Sequence, residues 1–399
     1  METIFVFFFG ILTGILTGLL PGIHVNLVSS ILLFNLITLK AMFTPEQIIF
    51  YIFTTAITQT FIDIIPNIFF MIPDPDNSIS ILPAQRMLIK GESFKATYCS
   101  GLGSLTGAII SIILIPLLYK NIFFIESIFR DKLKIIFILV IIFFILQEEK
   151  HKKFWALIIV TFSGILGLIS LNSYFLKYNL TVIFSGLFGA SSLIISFFSN
   201  TKIPKQNLKL DFNINKDYFK ITFLSSITSL FSSIFPGVGN AQAISILSLF
   251  FKKISSSIFL FGSSLINTLN FIFSVVVFIN LGRVRNGVLS FISNSNLIDL
   301  NFNFLGSYVR IVIGISITSF FILLFISFIF IKIFNRINLS KYFFLSLFIL
   351  LTLLIFILSG LYGLLFYMTS ILLGLLAILL DVRRINLMAV IIVPIIFLL

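Results

Sequence analysis

The chain has few charges, one cysteine and two histidines in 399 residues, and each scarcity closes off a class of protein. Cys99 alone excludes an internal disulfide and any site built from several thiolates. His24 and His151 lie far apart in sequence, which argues against a histidine-rich metal centre. Charged side chains make up 10% of the chain and hydrophobic ones 59%, with a mean hydropathy of +1.17. That composition belongs to an integral membrane protein. Uncharged stretches of roughly 20 residues, enough to cross a bilayer at about 1.5 Å of rise each, recur along the whole chain. A membrane β-barrel would show short alternating segments instead. The opening apolar run, Thr3 to Leu39, has neither a basic leader nor a small-residue cleavage site, so it is expected to be mature structure.

What is abundant says less about function. The 52 phenylalanines, with free use of Ile, Asn and Lys, are the mark of an AT-rich genome. The formal charge of +13 would suggest nucleic acid in a soluble protein. Here Lys and Arg fall in short loops between apolar runs, where they orient helices and meet anionic lipid, so no nucleic-acid partner is expected.

The apolar runs form two series in the same order. The first comprises the run broken at Pro21-Gly22, then Gln47 to Ile65, a polar-flecked segment at Asn77 to Lys90, and runs at Ala96 to Leu118, Ile135 to Gln147, Phe154 to Asn172 and Asn179 to Ser199. The second comprises Ile221 to Phe251, broken at Pro236-Gly237, then Ser256 to Asn280, Arg285 to Asn294, Phe304 to Ile331, Tyr342 to Ser359, Leu361 to Leu380 and Ile385 to Leu399. This order predicts an all-α polytopic membrane protein made of two repeats. The expected division is an N-terminal repeat over residues 1–199, a polar linker over 200–217 and a C-terminal repeat over 218–399. Loop charge favours inversion of one repeat relative to the other. Lys150, Lys152 and Lys153 share a side with the linker lysines, whereas in the second half Lys332, Arg336, Lys341, Arg383 and Arg384 fall in the alternate loops. The loop with Arg130, Lys132 and Lys134 does not fit this assignment.

Two short motifs mark the breaks. Pro21-Gly22-Ile23-His24-Val25-Asn26 and Pro236-Gly237-Val238-Gly239-Asn240-Ala241-Gln242 each interrupt an apolar run with residues that a helix does not tolerate. Unpaired backbone at membrane depth is expected where it lines a cavity, and a restarted helix presents free amides that suit an anion. Gly22, His24, Asn26, Gly237, Gly239, Asn240 and Gln242 are therefore candidate substrate-binding residues. The plainer alternative is a pair of turns between short helices, with the amides serving only as caps.

A third signal is Asp63 within an apolar run, at helical spacing from Gln59 and Thr55. Intramembrane carboxylates default to a functional role, so these three and Asn267 are candidates for coupling a sodium ion or a proton. Alternatively, Asp63 caps a helix end or pairs with Arg86. The run Pro73-Asp74-Pro75-Asp76-Asn77 predicts a turn followed by a short helix carrying Arg86. This helix is either re-entrant, with Arg86 gripping a carboxylate, or interfacial, with Arg86 at the headgroups. Gly282-Arg283-Val284-Arg285-Asn286-Gly287 is its second-half counterpart.

The two Pro-Gly motifs, Phe61-Ile62-Asp63-Ile64-Ile65-Pro66-Asn67, Leu82-Pro83-Ala84-Gln85-Arg86 and Ser185-Gly186-Leu187-Phe188-Gly189 together resemble the archaeal branch of the TctA family, over nearly the whole chain. That family comprises the large permease subunit of tripartite tricarboxylate transporters. The resemblance implies secondary, ion-driven uptake of carboxylates, alongside a small membrane subunit and an extracytoplasmic binding protein in the bacterial systems. A homodimer is compatible with it.

The expected function is thus a permease for small organic anions, held between the two broken helices and driven by sodium or protons. Other readings remain at this stage. The same helix starts could bind the headgroup of a lipid-linked phosphate in a translocase. An intramembrane enzyme would need a nucleophile and base or a metal cluster, and His24, Asp63, Asp74 and Asp76 show no such spacing. A structural scaffold would not need paired polar breaks.

Overall fold

The computed structural model describes residues 2–20, 25–71, 81–149, 151–173, 176, 178–199, 203–210, 215–235, 239–249, 255–297, 302–336 and 341–398. Among these the chain is helical without strands. Among the described residues seven helical stretches are long and apolar enough to cross a membrane, or eight if a pair bent by 80° is one span. The expected turn at Pro73 to Asn77 lies outside the described residues, as do Pro21 to His24 and Pro236 to Val238.

The chain opens with α1 (Glu2–Leu19), α2 (Val25–Phe34) and α3 (Leu36–Met42). Next comes α4 (Pro45–Ile62), started by a capping box in which Thr44 accepts from the Gln47 amide and Gln47 reaches back to the Thr44 amide. Gly10, Gly14 and Gly18 bring α1 hard against α4. Added Cβ atoms there would sit 2.8 Å from Thr54 Cβ, 2.6 Å from Thr58 Cβ and 2.7 Å from Ile62 Cβ. These pairs rise together in number, so α1 and α4 run parallel. The chain must therefore double back between them. It does so through α2, which starts beside Gln59 of α4, and through α3, bent 80° from α2. The elements α1 to α3 are thus the limbs of a helical hairpin.

The second half repeats this course with α11 (Lys216–Ile234), α12 (Asn240–Leu249) and α13 (Ser256–Leu281), the last capped by Ser255. Ile221 and Ser225 of α11 meet Gly262, and Ser229 Oγ donates to Ile266 O at 3.5 Å, so α11 and α13 are parallel too. Only a returning α12 lets the chain reach the start of α13.

After α4, a π-turn at Pro66–Phe70 leads toward α5 (Ile81–Ile89) and α6 (Ser93–Phe129), which continues past Pro116. The corresponding elements after α13 are α14 (Gly287–Ser295), capped by Asn286, and α15 (Phe302–Arg336). Four helices, α4, α6, α13 and α15, form the centre. Thr58 and Ser319 hydroxyls pair at 3.1 Å between α4 and α15, Ser100 and Ser264 at 2.6 Å between α6 and α13, and Thr97 and Ser327 at 2.7 Å between α6 and α15. Small residues let hydroxyls, which need partners in an apolar surround, reach across. Phe53 lies against Phe271, Thr60 against Thr268, and Asp63 against Asn267. One number climbs as the other falls, so α4 and α13 run antiparallel.

The remaining helices are α7 (Leu133–Leu146), α8 (Lys152–Leu171), α9 (Asn179–Phe184), α10 (Ser191–Phe198), α16 (Lys341–Leu379) and α17 (Ala389–Leu398). A π-turn at Ser185–Ala190 joins α9 to α10, and Gly360 (φ 62°) breaks α16 into two limbs. Here α8 packs on α17, and α16 packs on α9, the π-turn and α10. Buried Arg384 donates to Ser192 Oγ at 2.6 Å, Ser191 Oγ at 2.6 Å and the Phe188 carbonyl at 3.0 Å, which fastens this layer. Within the expected linker, residues 203–210 are tied to the helices. Gln206 receives the Ser93 amide at 3.2 Å and gives its own amide to Asn335 at 2.7 Å.

Candidate functional site

The two hairpins meet at a cavity of about 220 Å³. The first hairpin contributes Val25 and Asn26, the second Gly239 and Asn240. Helix α4 presents Ala56, Gln59, Thr60 and Asp63, a stripe spaced three, four and seven residues along one face. Helix α13 presents Asn267, Asn270, Phe271 and Ser274, each 211 positions after its α4 counterpart. The N-cap residues Thr44 and Ser255 have the same separation. Arg285 and Asn286, between α13 and α14, complete the wall.

The polar groups are tied to one another. Gln59 Oε1 accepts the first amide of α2, Val25 N, at 2.8 Å. Asn26 Oδ1 accepts the Gly287 amide at 2.7 Å, joining the first hairpin to α14 of the other half. Buried Asp63 closes α4 as its C-cap, and its Oδ2 accepts from Asn267 Nδ2 at 2.7 Å. Asn267 Oδ1 accepts from Asn240 Nδ2 at 2.7 Å, and Asn240 Oδ1 accepts from Asn270 Nδ2. The buried carboxylate is thus reached through a chain of amides from the second hairpin.

Arginines clamp the end of α11. Arg285 Nη1 donates to the Phe235 carbonyl at 2.6 Å, and Arg283 donates to the Ile234 carbonyl at 3.3 Å while pairing with Glu126 of α6. Cations suit the carbonyl end of a helix. Burial, then the neighbouring Arg283, lowers Arg285 from its ordinary value to about 10, so it stays cationic at neutral pH. Among the described residues the cavity therefore holds one carboxylate and one guanidinium beside neutral amides and hydroxyls.

The structure brings together Asn26, Gln59, Asp63, Gly239, Asn240 and Asn267 of the residues selected from the sequence. Gly22, His24 and Gly237 lie outside the described residues, and Gln242 sits in the first turn of α12. Thr55 does not line the cavity. Its hydroxyl turns to α1, where it meets Thr13 Oγ1 at 3.1 Å, because a spacing of four drifts around the helix and the cavity face is the stripe from Ala56 to Asp63. Arg86 does not line it either. It is exposed on α5, which buries Ala84, Met87 and Leu88 instead. The reading of Asp63 as a helix cap holds beside its place in the cavity, and its partner across the halves is Asn267. Asn270 and Ser274 were not among the residues selected from the sequence, and Arg285 stood there only in the basic turn after α13. Among the described residues no three His, Cys, Asp or Glu side chains gather as a metal site.

A second, apolar cavity of about 280 Å³ lies between the limbs of the first hairpin. Phe5, Phe9 and Leu39 line it, with Gln47 and Tyr51 at its α4 wall.

Comparison with known proteins agrees with this membrane architecture. The family model described as the tripartite tricarboxylate transporter TctA family matches residues 4–389. An uncharacterized protein of Methanocaldococcus jannaschii is 30% identical over 315 residues, covering 75% of this chain and 78% of its own. No solved structure matches.

Proposed function

The chain belongs to the tripartite tricarboxylate transporter TctA family, and on that premise we propose that it is a secondary transporter for small organic anions of the carboxylate class. The substrate is held in the cavity between the two hairpins, and a sodium or proton gradient drives its movement. One observation carries this reading: the cavity is walled by matching positions of α4 and α13, which run in opposite directions. That is the expected geometry of inverted repeats with a site at their interface, where rocking one half against the other would expose the site alternately.

Size and chemistry support a small solute. The cavity of about 220 Å³ has room for roughly seven waters at about 30 Å³ each, the scale of a short di- or tricarboxylic acid. Arg285 offers a guanidinium suited to a carboxylate, and the amide side chains supply further hydrogen bonds. Membership of a tripartite family implies partner subunits. A small membrane subunit and an extracytoplasmic binding protein are the partners proposed here.

The test is a thermal-stabilisation screen of the purified protein with citrate, succinate and inorganic phosphate, with and without sodium. A ligand at a hundred times its Kd should stabilise the native state by about 2.7 kcal/mol. Asn26→Ala and Asn240→Ala should weaken that response while the protein still inserts in membranes. An unchanged response in both variants removes the cavity as the site.

The apolar cavity inside the first hairpin favours a second reading. A translocase for a lipid-linked phosphate would seat the headgroup between the hairpins and part of the chain among Phe5, Phe9 and Leu39. Flipping of a labelled polyprenyl phosphate in sealed vesicles, without uptake of citrate or succinate, would establish it.

A further inference from the structure

The returning limbs of the two hairpins are packed differently. In α12 the side chains of Asn240, Ala243, Ile244, Ser245 and Leu247 are buried. In α2 and α3 together only Val25 and Ser29 are. Phe34 and Ile37, on either side of the 80° bend, are 92% and 89% exposed. The inner side is loose as well. Leu32 and Leu39 line the apolar cavity of about 280 Å³ with Phe5 and Phe9 of α1, and such a void forfeits contacts that would hold the limb down.

Polar ties fasten this limb chiefly at its start. The Val25 amide donates to Gln59 Oε1 at 2.8 Å, and Asn26 Oδ1 accepts the Gly287 amide at 2.7 Å. Both bonds join neutral groups, and Val25, Asn26 and Gln59 all line the polar cavity. At the far end Lys40 Nζ, on an exposed residue, donates to the Ser295 carbonyl at 3.3 Å. Hairpin 2 is held more firmly. Arg283 and Arg285 donate to the Ile234 and Phe235 carbonyls, and Phe129 of α6 lies against Phe231 and Phe235. Bonds with a charged partner are roughly twice as strong as neutral ones.

We propose that α2 and α3 form the gate of the anion cavity, lifting away from α4 and α14 while α1 and hairpin 2 stay in place. Helix α1 is no part of the gate, because its glycines set it against α4. Segments with few buried contacts are the ones that open at low free energy. Opening breaks the bonds at Val25 and Asn26 and takes both residues out of the cavity wall. Gly287 is the seat on which the gate closes. An added Cβ there would lie 2.6 Å from Asn26 Oδ1 and 2.7 Å from Asn26 Cα, so a larger residue holds the gate ajar.

The gate deepens the carboxylate-transporter reading and rests on it. The experiment follows release of radiolabelled citrate and succinate from purified full-length protein in a Cys99→Ser background. Asn26→Cys with Gly287→Cys places two thiols at the seat, where a disulfide ties the gate shut. Oxidation of this pair should slow release by about tenfold or more, and reduction should restore it. Ile221→Cys with Gly262→Cys ties α11 to α13, where an added Cβ at Gly262 lies 2.7 Å from Ile221 Cγ1. Oxidation of that pair should change release by less than about twofold. Free release from the oxidised first pair, or equal slowing by the second, overturns the gate and leaves the transporter reading standing. Absence of binding by either acid in the wild type removes that reading, and hydrogen exchange then tests the gate by itself. Without ligand, amides of α2 and α3 should exchange about tenfold faster than those of α12, and faster still in Gly287→Ala. Equal or slower exchange in α2 and α3 overturns the gate.

Discussion

The two hairpins share a course but differ in how they are held. In the first, α1 lies on α4 through Gly10, Gly14 and Gly18, and the nearest atoms are Cβ carbons and backbone carbonyls that cannot yield. In the second, the single Gly262 meets the flexible end of Ile221, and the hairpin is fixed instead by Arg283 and Arg285 on its carbonyls. Chemistry is divided the same way. Helix α4 brings a carboxylate, Asp63, where α13 has Ser274 at the position 211 residues on, and α13 brings an amide, Asn267, where α4 has Ala56. Two hairpins of like course can thus carry unlike charges.

The largest expected effect comes from removing the charge that differs. Asp63→Leu leaves Asn267 Nδ2 without its acceptor in a buried place, a loss of about 1–3 kcal/mol in stability, and the dependence of anion binding on sodium or pH should disappear. A dependence that persists would mean that the carboxylate is only a helix cap. The next effect separates two arginines. Arg285→Gln removes the cation from the cavity wall and should weaken anion binding by roughly tenfold or more, given charged hydrogen bonds of about 1.5–3 kcal/mol. Arg86→Gln, on the exposed face of α5, should change it less than about twofold, within the ordinary range for surface sites. Equal effects would bring Arg86 back into the site.

A smaller contrast tests the hairpins themselves. Gly14→Ala forces a Cβ to within 2.6 Å of Thr58 Cβ and 2.8 Å of the Thr55 carbonyl. It should destabilise by about 1–3 kcal/mol, the usual range for overpacking. In Gly262→Ala the nearest atoms are Ile221 Cδ1 and Cγ1 at 2.7 Å and the Ser225 hydroxyl at 3.1 Å. Its cost should stay under about 1 kcal/mol, because the isoleucine can change rotamer. Thermal melts of both variants in one detergent compare them directly. A larger loss at Gly262 would invert the account of which hairpin is rigid.

Much of the helix order was legible, because a bilayer demands long uncharged runs and the loops between them must carry the polar residues. Direction was not. Nothing in the apolar periodicity of residues 3–39 tells a helix that continues across the membrane from one that turns back, and the return follows only from glycine contacts along α4. The 80° bend at Asn35 left no Pro or Gly as a sign. Within the site, the polar residues of α4 and α13 stood out against an apolar background, so Gln59, Asp63 and Asn267 could be selected. Which face they shared could not, since Thr55 and Ala56 are one step apart and point to different neighbours. Arg86 drew notice by its charge, and only the packing of α5 reveals that it is exposed. Arg285 stood in a basic turn that any interfacial loop might carry, and its reach to Phe235 depends on contacts 50 residues distant.

The central claim is that one anion occupies a cavity walled by equivalent positions of both halves. Ala56→Cys and Ser274→Cys, each in a Cys99→Ser background, place a thiol on α4 and on α13 at that wall, with Arg86→Cys as a site away from it. The rate of maleimide labelling is measured with and without the anion that stabilises the protein. The account predicts that the anion slows labelling at both cavity positions and leaves Arg86→Cys unchanged. Protection at only one of the two, or at neither, would contradict it.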